Sequence, residues 1–488
     1  MIEFIILAPL IAATICLLSK RHYKIAENVA LAGVAFSLMA LILTVSSANL
    51  TTNPVVGLFG YLYLDSLSLV FVSVAIVVTL FVVIYSRGYM HEEADFGTFE
   101  HARISKYNGF LLLFLTSVLF VSLSSDLFMI WTFMETTTFT SVFLISFYNK
   151  KVSVEAAWKY FVVCSLGITL ALVGLLLLEY GLQQAGVPAT FTWQGIIENA
   201  RSINVLFLKI ALAFVIVGYG TKVGLAPLHI WLPDAHSQAP TPVSALLSGV
   251  LLNTALYGIL RLYPIGAEVA AAGSFMSALL VGFGLFTLAL ASLRLYYQES
   301  YKRLLAYSSV ENMGMIVLAL GIGGPLGVFA ALFLLISHSL VKPLAFFMWG
   351  IINHGYDSKD ISETSGVAKA LPSIGQPFIL VNMGIGGGLP FGTFVGEIIL
   401  IAAALAAHQY LVLFLLIIFA AIAFGTLLLK SSQIAFGDVV GTMRKYRPGR
   451  ITMACIWSLF ALAIVLGLLA PQLLFGAISA AGNVLLGG

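Results

Sequence analysis

Ionisable side chains occur inside long apolar stretches of this 488-residue chain. An ionised group at the centre of a bilayer costs at least about 2.5–3.5 kcal/mol on insertion scales, so it must face protein, water or a partner charge, or give up its charge. Acids, lysines and histidines at similar depth in neighbouring helices form a series along which protons can move. The principal candidates are Glu135, Lys222, His229, His338, Lys342 and Glu397, and the secondary ones are Lys159, His236, Asn253 and Glu311.

Glu135 and Lys222 are the strongest candidates for proton transfer. Glu135 follows a polar turn by about 14 Å of helical rise, which places it near mid-membrane with hydroxyl side chains beside it. Lys222 lies among glycines, where a broken helix frees carbonyl groups for an ammonium and where burial disfavours the charged form. We expect Lys222 to carry a proton, and Glu135 either to serve the same path or to join helices. Lys159 either pairs with Glu155 four residues away or acts on Glu135.

The segment after Lys222 contains further titratable residues. His229 and His236 titrate near neutrality, and each is either a proton carrier or a hydrogen-bonded structural residue. Asp234 follows a proline, a position typical of a turn or cap residue.

A second group of charges lies further along the chain. His338 and Lys342 are four residues apart and therefore lie on one helical face. Glu397 is a buried acid that fits an exit on the outward side. Glu311 either joins this line or pairs with a loop cation such as Arg303.

The composition excludes several classes of protein. Hydrophobic residues make up 60% of the chain and charged residues 9%, against roughly 25% charged in soluble domains. The net charge of +3 does not suggest nucleic acid as a partner. Cys16, Cys164 and Cys455 lie singly in apolar stretches, so no disulfide, metal site or cluster is expected from them. Redox catalysis and its cofactors would then belong to partner subunits.

The hydrophobic pattern predicts an all-α integral membrane protein, because a membrane helix needs about 20 apolar residues. Fourteen such windows form one membrane domain over residues 1–488, at 2–18, 25–47, 64–85, 109–124, 126–148, 156–180, 203–238, 240–263, 271–296, 303–322, 325–354, 373–407, 409–430 and 452–476.

Most of the 24 lysines and arginines fall in the loops of one side, including Lys20, Arg21, Lys445 and Arg447. The positive-inside rule then predicts that both termini lie outside a prokaryotic cytoplasmic membrane.

Spans 7 (203–238) and 12 (373–407) are too long to be straight, since each would reach about 50 Å. Glycine and proline indicate where they break. The expected break residues are Gly218, Gly220, Gly224 and Pro227 in span 7, and Gly384, Gly386, Gly387, Gly388 and Pro390 in span 12. Broken helices of opposite direction five spans apart predict two inverted five-helix repeats, at about 109–263 (spans 4–8) and 271–430 (spans 9–13).

One long motif resembles a known family. Residues 220–249 read GTKVGLAPLHIWLPDAHSQAPTPVSALLSG, which is similar to the broken seventh helix of the antiporter-like subunits of respiratory complex I, Mrp antiporters and group 4 membrane-bound hydrogenases. The resemblance continues through EAAWKY at 155–160, KRLLAYSSVENMG at 302–314 and HSLVK at 338–342. Within the family, SSVENMG followed by LGIGGPLGVFAAL looks most like the branch of the hydrogenase-4 component F proteins.

The resemblance implies a fourteen-helix fold and the translocation of protons, or of sodium ions. It also implies assembly with other membrane subunits and with a peripheral hydrophilic arm. The iron-sulfur clusters and the nickel-iron centre would lie in those partner subunits. By its motifs Glu135 matches the family's acid of helix 5, Lys222 its lysine of helix 7, and Glu397 its ionisable residue of helix 12. Asn253 departs from the pattern, because many relatives have a lysine there in helix 8. His338, Lys342 or water would have to bridge the centre.

Three functions remain open at this point. The chain is an ion-translocating subunit of a membrane-bound hydrogenase, formate hydrogenlyase or complex I-like oxidoreductase, a cation/proton antiporter subunit driven by existing gradients, or a non-conducting membrane anchor. Asn253 favours the last of these.

Overall fold

The computed structural model describes residues 1–19, 22–48, 53–188, 190–440, 444, 448–469 and 472–487. Its first half contains the helices α1 Ile2–Leu18, α2 Tyr23–Ser46, α3 Ser66–Asp95, α4 Arg103–Leu123, α5 Leu127–Ile145, α6 Lys151–Gln184, α7 Trp193–Glu198, α8 Val205–Val223, α9 Trp231–Gln238, α10 Thr241–Leu246 and α11 Leu252–Leu260. The second half contains α12 Ile265–Glu268, α13 Ala270–Tyr296, α14 Tyr301–Ile322, α15 Gly324–Tyr356, α16 Val367–Ala370, α17 Pro372–Ile385, α18 Gly392–Ala406, α19 Tyr410–Ala435, α20 Arg450–Leu468 and α21 Gln472–Leu486.

Short irregular elements connect these helices. A π-helical segment, Leu247–Leu251, joins α10 to α11. The strands β1 (Val55–Gly57) and β2 (Leu62–Leu64) form an antiparallel hairpin before α3. Lys20, Arg21, Lys445 and Arg447, which entered the orientation prediction, lie outside the described residues.

The prediction of an all-α membrane protein is confirmed. In the described part of the chain, 12 helical segments are long and apolar enough to cross a membrane. The other two predicted windows hold α1, with 17 residues, and the pair α17 and α18. The total of fourteen spans stays a prediction.

Two predicted edges differ from the structure by more than the rest. Helix α3 continues to Asp95, ten residues beyond the apolar window, because its polar last turns contact other helices. The window 452–476 is divided, since α20 ends at Leu468 and α21 begins at Gln472. An apolar window detects the buried length of a helix and not its polar continuation or an interruption between two apolar helices.

Buried and outward-facing helices are clearly separated. Helices α10, α11, α14 and α15 are buried along almost their whole length. By contrast, α2 and α19 expose large apolar side chains, including Phe36, Met39, Tyr410, Leu411 and Phe414. An outward apolar surface of this kind suits contact with lipid, whereas the buried centre can hold polar groups.

Both long spans are broken, as predicted, at part of the expected residues. Helix α8 ends at Val223, and Gly224 adopts the left-handed conformation at φ 89° that favours glycine after a helix. Helix α17 ends at Ile385, and Gly387 at φ 82° lies in the gap before α18. The break residues Pro227 and Pro390 lie in these two gaps.

Gly218, Gly220 and Gly384 were wrongly predicted as break residues, because all three lie inside helices. Their role is packing. A Cβ built on Gly218 would lie 2.4 Å from the backbone nitrogen of Ala171 in α6, and one on Gly384 would lie 2.3 Å from the Phe391 ring. Glycine at these positions allows two segments to approach closely.

We expect Gly218→Ala to destabilise the contact between α6 and α8 by roughly 1–3 kcal/mol, because the added methyl group overpacks it. The measurement is thermal unfolding of the detergent-solubilised protein. Gly425→Ala on α19 is the matched control, since a Cβ there has no neighbour within 4 Å. Equal stability of the two variants would contradict this account of Gly218.

Candidate functional site

Lys222 lies fully buried in the last turn of α8. Its amine donates hydrogen bonds to three acceptors on α5: the Met134 carbonyl and the hydroxyls of Thr137 and Thr138, each at 2.6 Å. No carboxylate among the described residues forms an ion pair with it. We call these acceptors the α5 socket. They satisfy all three donors of an ammonium without a counter-charge.

Glu135 follows the first socket residue in α5. One carboxylate oxygen accepts a 2.5 Å hydrogen bond from the Ser165 hydroxyl in α6. The other oxygen, Oε2, is buried and has no hydrogen-bond partner among the described residues. Glu135 therefore lies beside the α5 socket without closing an ion pair to Lys222, and one of its oxygens is free to accept a proton.

Lys342 in α15 repeats this arrangement in the second half. Its fully buried amine donates to the Leu305 carbonyl at 3.0 Å and to the Ser308 hydroxyl, both on α14. We call these acceptors the α14 socket. In both sockets a backbone carbonyl and a hydroxyl three residues later hold a lysine, because those two groups share one helical face.

His338 lies one turn before Lys342 in the same helix and is 1% exposed. Its ring contacts the backbone of Ser248 in the π-helical segment, and its Nε2 has no partner in the described part of the chain. The irregular backbone of a π-helical turn can present carbonyl groups to neighbours, which is why such turns often lie at functional sites.

Two acids extend this group toward the break between α17 and α18. Glu311 in α14 is 1% exposed and accepts a 2.8 Å hydrogen bond from Asn312, which also contacts the Ile385 carbonyl at the end of α17. The Glu397 carboxylate packs against Gly387 so closely that a Cβ there would lie 2.1 Å from its Oε1. That oxygen is buried without a protein partner.

The expected alternative pairing of Glu311 with Arg303 was wrong. Arg303 instead contacts Asp234 in α9 at 2.6 Å, and Asp234 also contacts Lys159 at 3.3 Å. Lys159 is exposed and pairs with Glu155 at 2.9 Å. These four residues form a surface ion-pair network, so Lys159 belongs with the surface and not with Glu135.

The remaining candidates, His229, His236 and Asn253, are all buried. His236 stacks on Phe346, and neither of its ring nitrogens has a protein partner. His229 is buried beside Tyr307 with its Nδ1 unpartnered. Asn253 donates to the Gly249 carbonyl at 2.9 Å and to the Ser339 hydroxyl at 2.6 Å.

Orphaned polar atoms are unusual in a folded interior, where the great majority have partners. Here they occur on residues of both halves: Glu135, His229, His236, Asn253, His338 and Glu397. The carboxylate oxygens and imidazole nitrogens among them are able to accept or donate a proton, whereas the amide oxygen of Asn253 can only accept a hydrogen bond. No group of three or more His, Cys, Asp or Glu residues that could hold a metal ion is found in the described ranges.

One buried ion pair escaped the sequence analysis. Arg261, which the sequence analysis did not single out, is buried and contacts both oxygens of Asp65 at 2.6 and 2.8 Å. It also donates to Ser68 and Tyr257 and lies 4.3 Å from the Trp193 ring centre. Asp65 caps α3, and that capping pattern was the only local signal, since its partner lies far away in sequence.

Comparison with known proteins identifies the class. Residues 124–423 match the family model "NADH:quinone oxidoreductase/Mrp antiporter, TM", and residues 60–100 match "NADH-Ubiquinone oxidoreductase (complex I), chain 5 N-terminus". The chain belongs to this family of antiporter-like membrane subunits, which confirms the resemblance seen in the motifs.

Individual relatives agree. The hydrogenase-4 component F homolog of Methylacidiphilum infernorum (isolate V4) is 33% identical over 418 residues, covering 84% of this chain and 86% of that protein. The Na(+)/H(+) antiporter subunit A1 of Staphylococcus aureus (strain bovine RF122 / ET3-1) is 32% identical over 76% of this chain. This chain covers 47% of that longer subunit, or about half its length.

Solved structures share the fold. A chain of the Mrp complex from Dietzia sp. DQ12-45-1b superposes with a TM-score of 0.86 at 22% identity, covering 99% of this chain and 97% of that chain. A chain of respiratory complex I from Thermus thermophilus gives 0.79 at 22% identity, covering 97% and 99%.

We expect Asp65→Asn to lower stability by about 3–5 kcal/mol, because it leaves the Arg261 charge buried without a partner. Thermal or denaturant unfolding in detergent measures this. Lys369→Gln is the control. It removes an exposed pair in which a hydrogen bond from Lys369 lowers the pKa of Asp438, and we expect almost no change. Similar losses in both variants would refute the special role of the buried pair.

Proposed function

We propose that this chain conducts protons across a membrane as one subunit of a larger assembly. The observation that carries the proposal is the pair of buried lysines, Lys222 and Lys342. Each is held by a backbone carbonyl and one or two hydroxyls, and neither forms an ion pair with a carboxylate among the described residues. A buried ammonium paired with a carboxylate is locked in place, because removing either charge is strongly unfavourable. An ammonium held by neutral acceptors loses less stabilising free energy when its proton leaves than one paired with a carboxylate does.

Each lysine has an acid nearby on the helix that forms its socket. Glu135 adjoins the carbonyl that binds Lys222, and Glu311 is one turn beyond Ser308 on α14. A proton can therefore pass between lysine and acid within each half. In the second half the path continues from Glu311 through the break between α17 and α18 to Glu397.

Transfer between the halves avoids Asn253, since an amide cannot carry an extra proton under these conditions. The Ser248 and Ser309 hydroxyls lie 2.8 Å apart at the centre, and His338 contacts the Ser248 backbone. We infer that His338 and His236, with hydroxyls and mobile water, bridge the sockets. His229 would serve the same centre from the break after α8.

The two broken spans support two inverted repeats, at about 109–263 and 271–430. Each break adjoins an ionisable residue, Lys222 in the first and Glu397 in the second. Broken helices with this placement usually mark the transport site. We further propose that both termini lie outside a prokaryotic cytoplasmic membrane, on the distribution of basic residues.

The assembly is proposed from the relatives. Their names refer to hydrogenase-4, to Na(+)/H(+) antiporters and to complex I. We propose that this chain joins other membrane subunits and a peripheral redox arm that holds the iron-sulfur and nickel-iron centres. Redox chemistry in that arm would then drive the ion through this subunit.

The deciding experiment replaces Lys222 and Lys342 separately with alanine in the complete complex. Sealed vesicles are supplied with electron donor, and acidification is followed with a pH-sensitive fluorescent dye. We expect each variant to lower proton movement about tenfold or more per electron transferred, because a positioned proton carrier is lost. Lys159→Ala, in the exposed network, is the matched control and should pump normally.

Two other outcomes would replace this proposal. If proteoliposomes show sodium-dependent proton flux without a redox partner, the chain is an antiporter subunit, as the similarity to subunit A1 favours. If Glu135→Gln, Lys222→Ala and Lys342→Ala all leave coupled pumping unchanged in an assembled complex, the chain is a non-conducting anchor.

A further inference from the structure

A polar cleft of about 200 Å³ opens at the surface where α3, α9, α14 and α15 end or begin. It is separate from the α5 socket, the α14 socket and the acids beside them. Titratable side chains make up most of its wall: Tyr89, Glu93, Tyr148, Lys150, Lys302, His354, Asp357, Lys359 and Arg444. The basic residues on this wall belong to the side predicted to be cytoplasmic.

A buried histidine in the wall of this cleft contacts two carboxylates. The side chain of His354, at the end of α15, is 3% exposed. One ring nitrogen lies 3.0 Å from a Glu92 oxygen and the other 2.9 Å from a Glu93 oxygen. A neutral imidazole has only one N–H. Hydrogen bonds at both nitrogens therefore require one additional proton, on the ring or on a carboxyl group.

The aromatic ring of Tyr89 fixes this group in position. It stacks on His354 with ring centres 4.6 Å apart. Its hydroxyl accepts a hydrogen bond from Thr241 at the start of α10 and lies 3.2 Å from the Tyr148 hydroxyl. The imidazole thus lies between two carboxylates in a defined orientation, at the point where solution reaches the helix bundle.

The inner end of the cleft leads toward the second socket. Lys302 is 5% exposed and donates to the Ala239 carbonyl at 2.8 Å. It lies three residues before Leu305, whose carbonyl binds Lys342. That spacing is about 4.5 Å along α14, on one helical face. His236, near the end of α9, lies within electrostatic range of both Lys302 and Lys342, and Ser244 donates to its carbonyl.

We propose that this cleft loads protons from solution into the second half of the membrane domain. The cluster of Glu92, Glu93 and His354 would hold the incoming proton, and Lys302 would position its passage toward Lys342. The inference rests on the function proposed above. It adds where the transported ion enters the protein and that this ion is a proton.

The charges at the entrance explain why the ion is a proton. Lys150 and Lys359 lie in the wall without carboxylate partners among the described ion pairs. Burial, and then the charge of Lys150, lower the pKa of Lys359. Fixed positive charge repels a hydrated sodium ion, which has to enter with its charge, whereas a proton moves by hopping between groups that are already there.

Side-specific chemical modification tests the entrance. Thr98 lines the cleft, half-buried, and Thr98→Cys changes its size little. Vesicles that hold the complete complex, with this face outward, are treated with a membrane-impermeant, anionic thiol reagent. We expect proton movement to fall about tenfold or more after labelling, since the adduct blocks the cleft that supplies the path.

Ser362→Cys is the matched control, because Ser362 is exposed and is not part of the cleft wall. The native residues Cys16, Cys164 and Cys455 are all buried and should give little background. Full labelling of Thr98→Cys, shown by mass spectrometry, with proton movement unchanged would overturn the proposal.

Glu93→Gln supplies a second measurement, since it removes the acid while keeping its shape. We expect lower proton movement per electron, with no recovery when sodium is added. Glu363→Gln, an exposed acid that accepts from Ser358, should behave as the unmodified protein. Normal pumping by an assembled Glu93→Gln complex would overturn the proposal even if labelling of Thr98→Cys inhibited.

These results separate failure of the entrance from failure of the proposed function. If Lys222→Ala and Lys342→Ala abolish pumping while labelled Thr98→Cys and Glu93→Gln pump normally, conduction stands and the entrance lies elsewhere. If the two lysine variants also pump normally, both proposals fall. Inhibition of proton movement in all four variants supports both the proposed conduction and the proposed entrance.

Discussion

A lysine amine in the interior of a membrane domain must have its N–H groups bonded or give up its proton, and the polar centre of this protein depends on that requirement. Helices α5 and α14 meet it with a backbone carbonyl and hydroxyls on the same helical face. These acceptors are neutral. They stabilise the ammonium less than a carboxylate would, so less free energy is lost when its proton leaves.

The helix breaks place these groups. Because α8 ends at Val223, Lys222 occupies its last turn and reaches across to α5. In the other half the Glu397 carboxylate lies against Gly387 in the gap between α17 and α18, where a side chain at residue 387 would collide with it. Broken backbone in a membrane is tolerated only where protein or water satisfies it. The breaks and the charges therefore occupy the same places for one physical reason.

The sequence predicted the helical class, both broken spans and the buried position of most candidates, because a charge within an apolar run is visible locally. It misjudged Gly218 and Gly384, since close packing and chain breaking both select glycine, and only the neighbouring helix tells them apart. The pair of Asp65 with Arg261 and the cluster around His354 could not be predicted. Their partners come from distant segments, and each residue alone resembles an ordinary loop or helix-end charge.

Helix α3 connects two contrasting arrangements of charge. At its beginning, Asp65 is bonded to Arg261 through two contacts, and both groups are buried, so neither can change protonation without leaving the other uncompensated. About 40 Å along the same helix, Glu92 and Glu93 contact His354. Hydrogen bonds at both ring nitrogens require one proton more than a neutral imidazole and two ionised carboxylates carry. A locked pair at one end and a shared proton at the other make the two membrane faces of this domain unequal. If the cleft is the proton entrance proposed above, protons exchange more easily at the face of the His354 cluster, and that difference would give the path a direction.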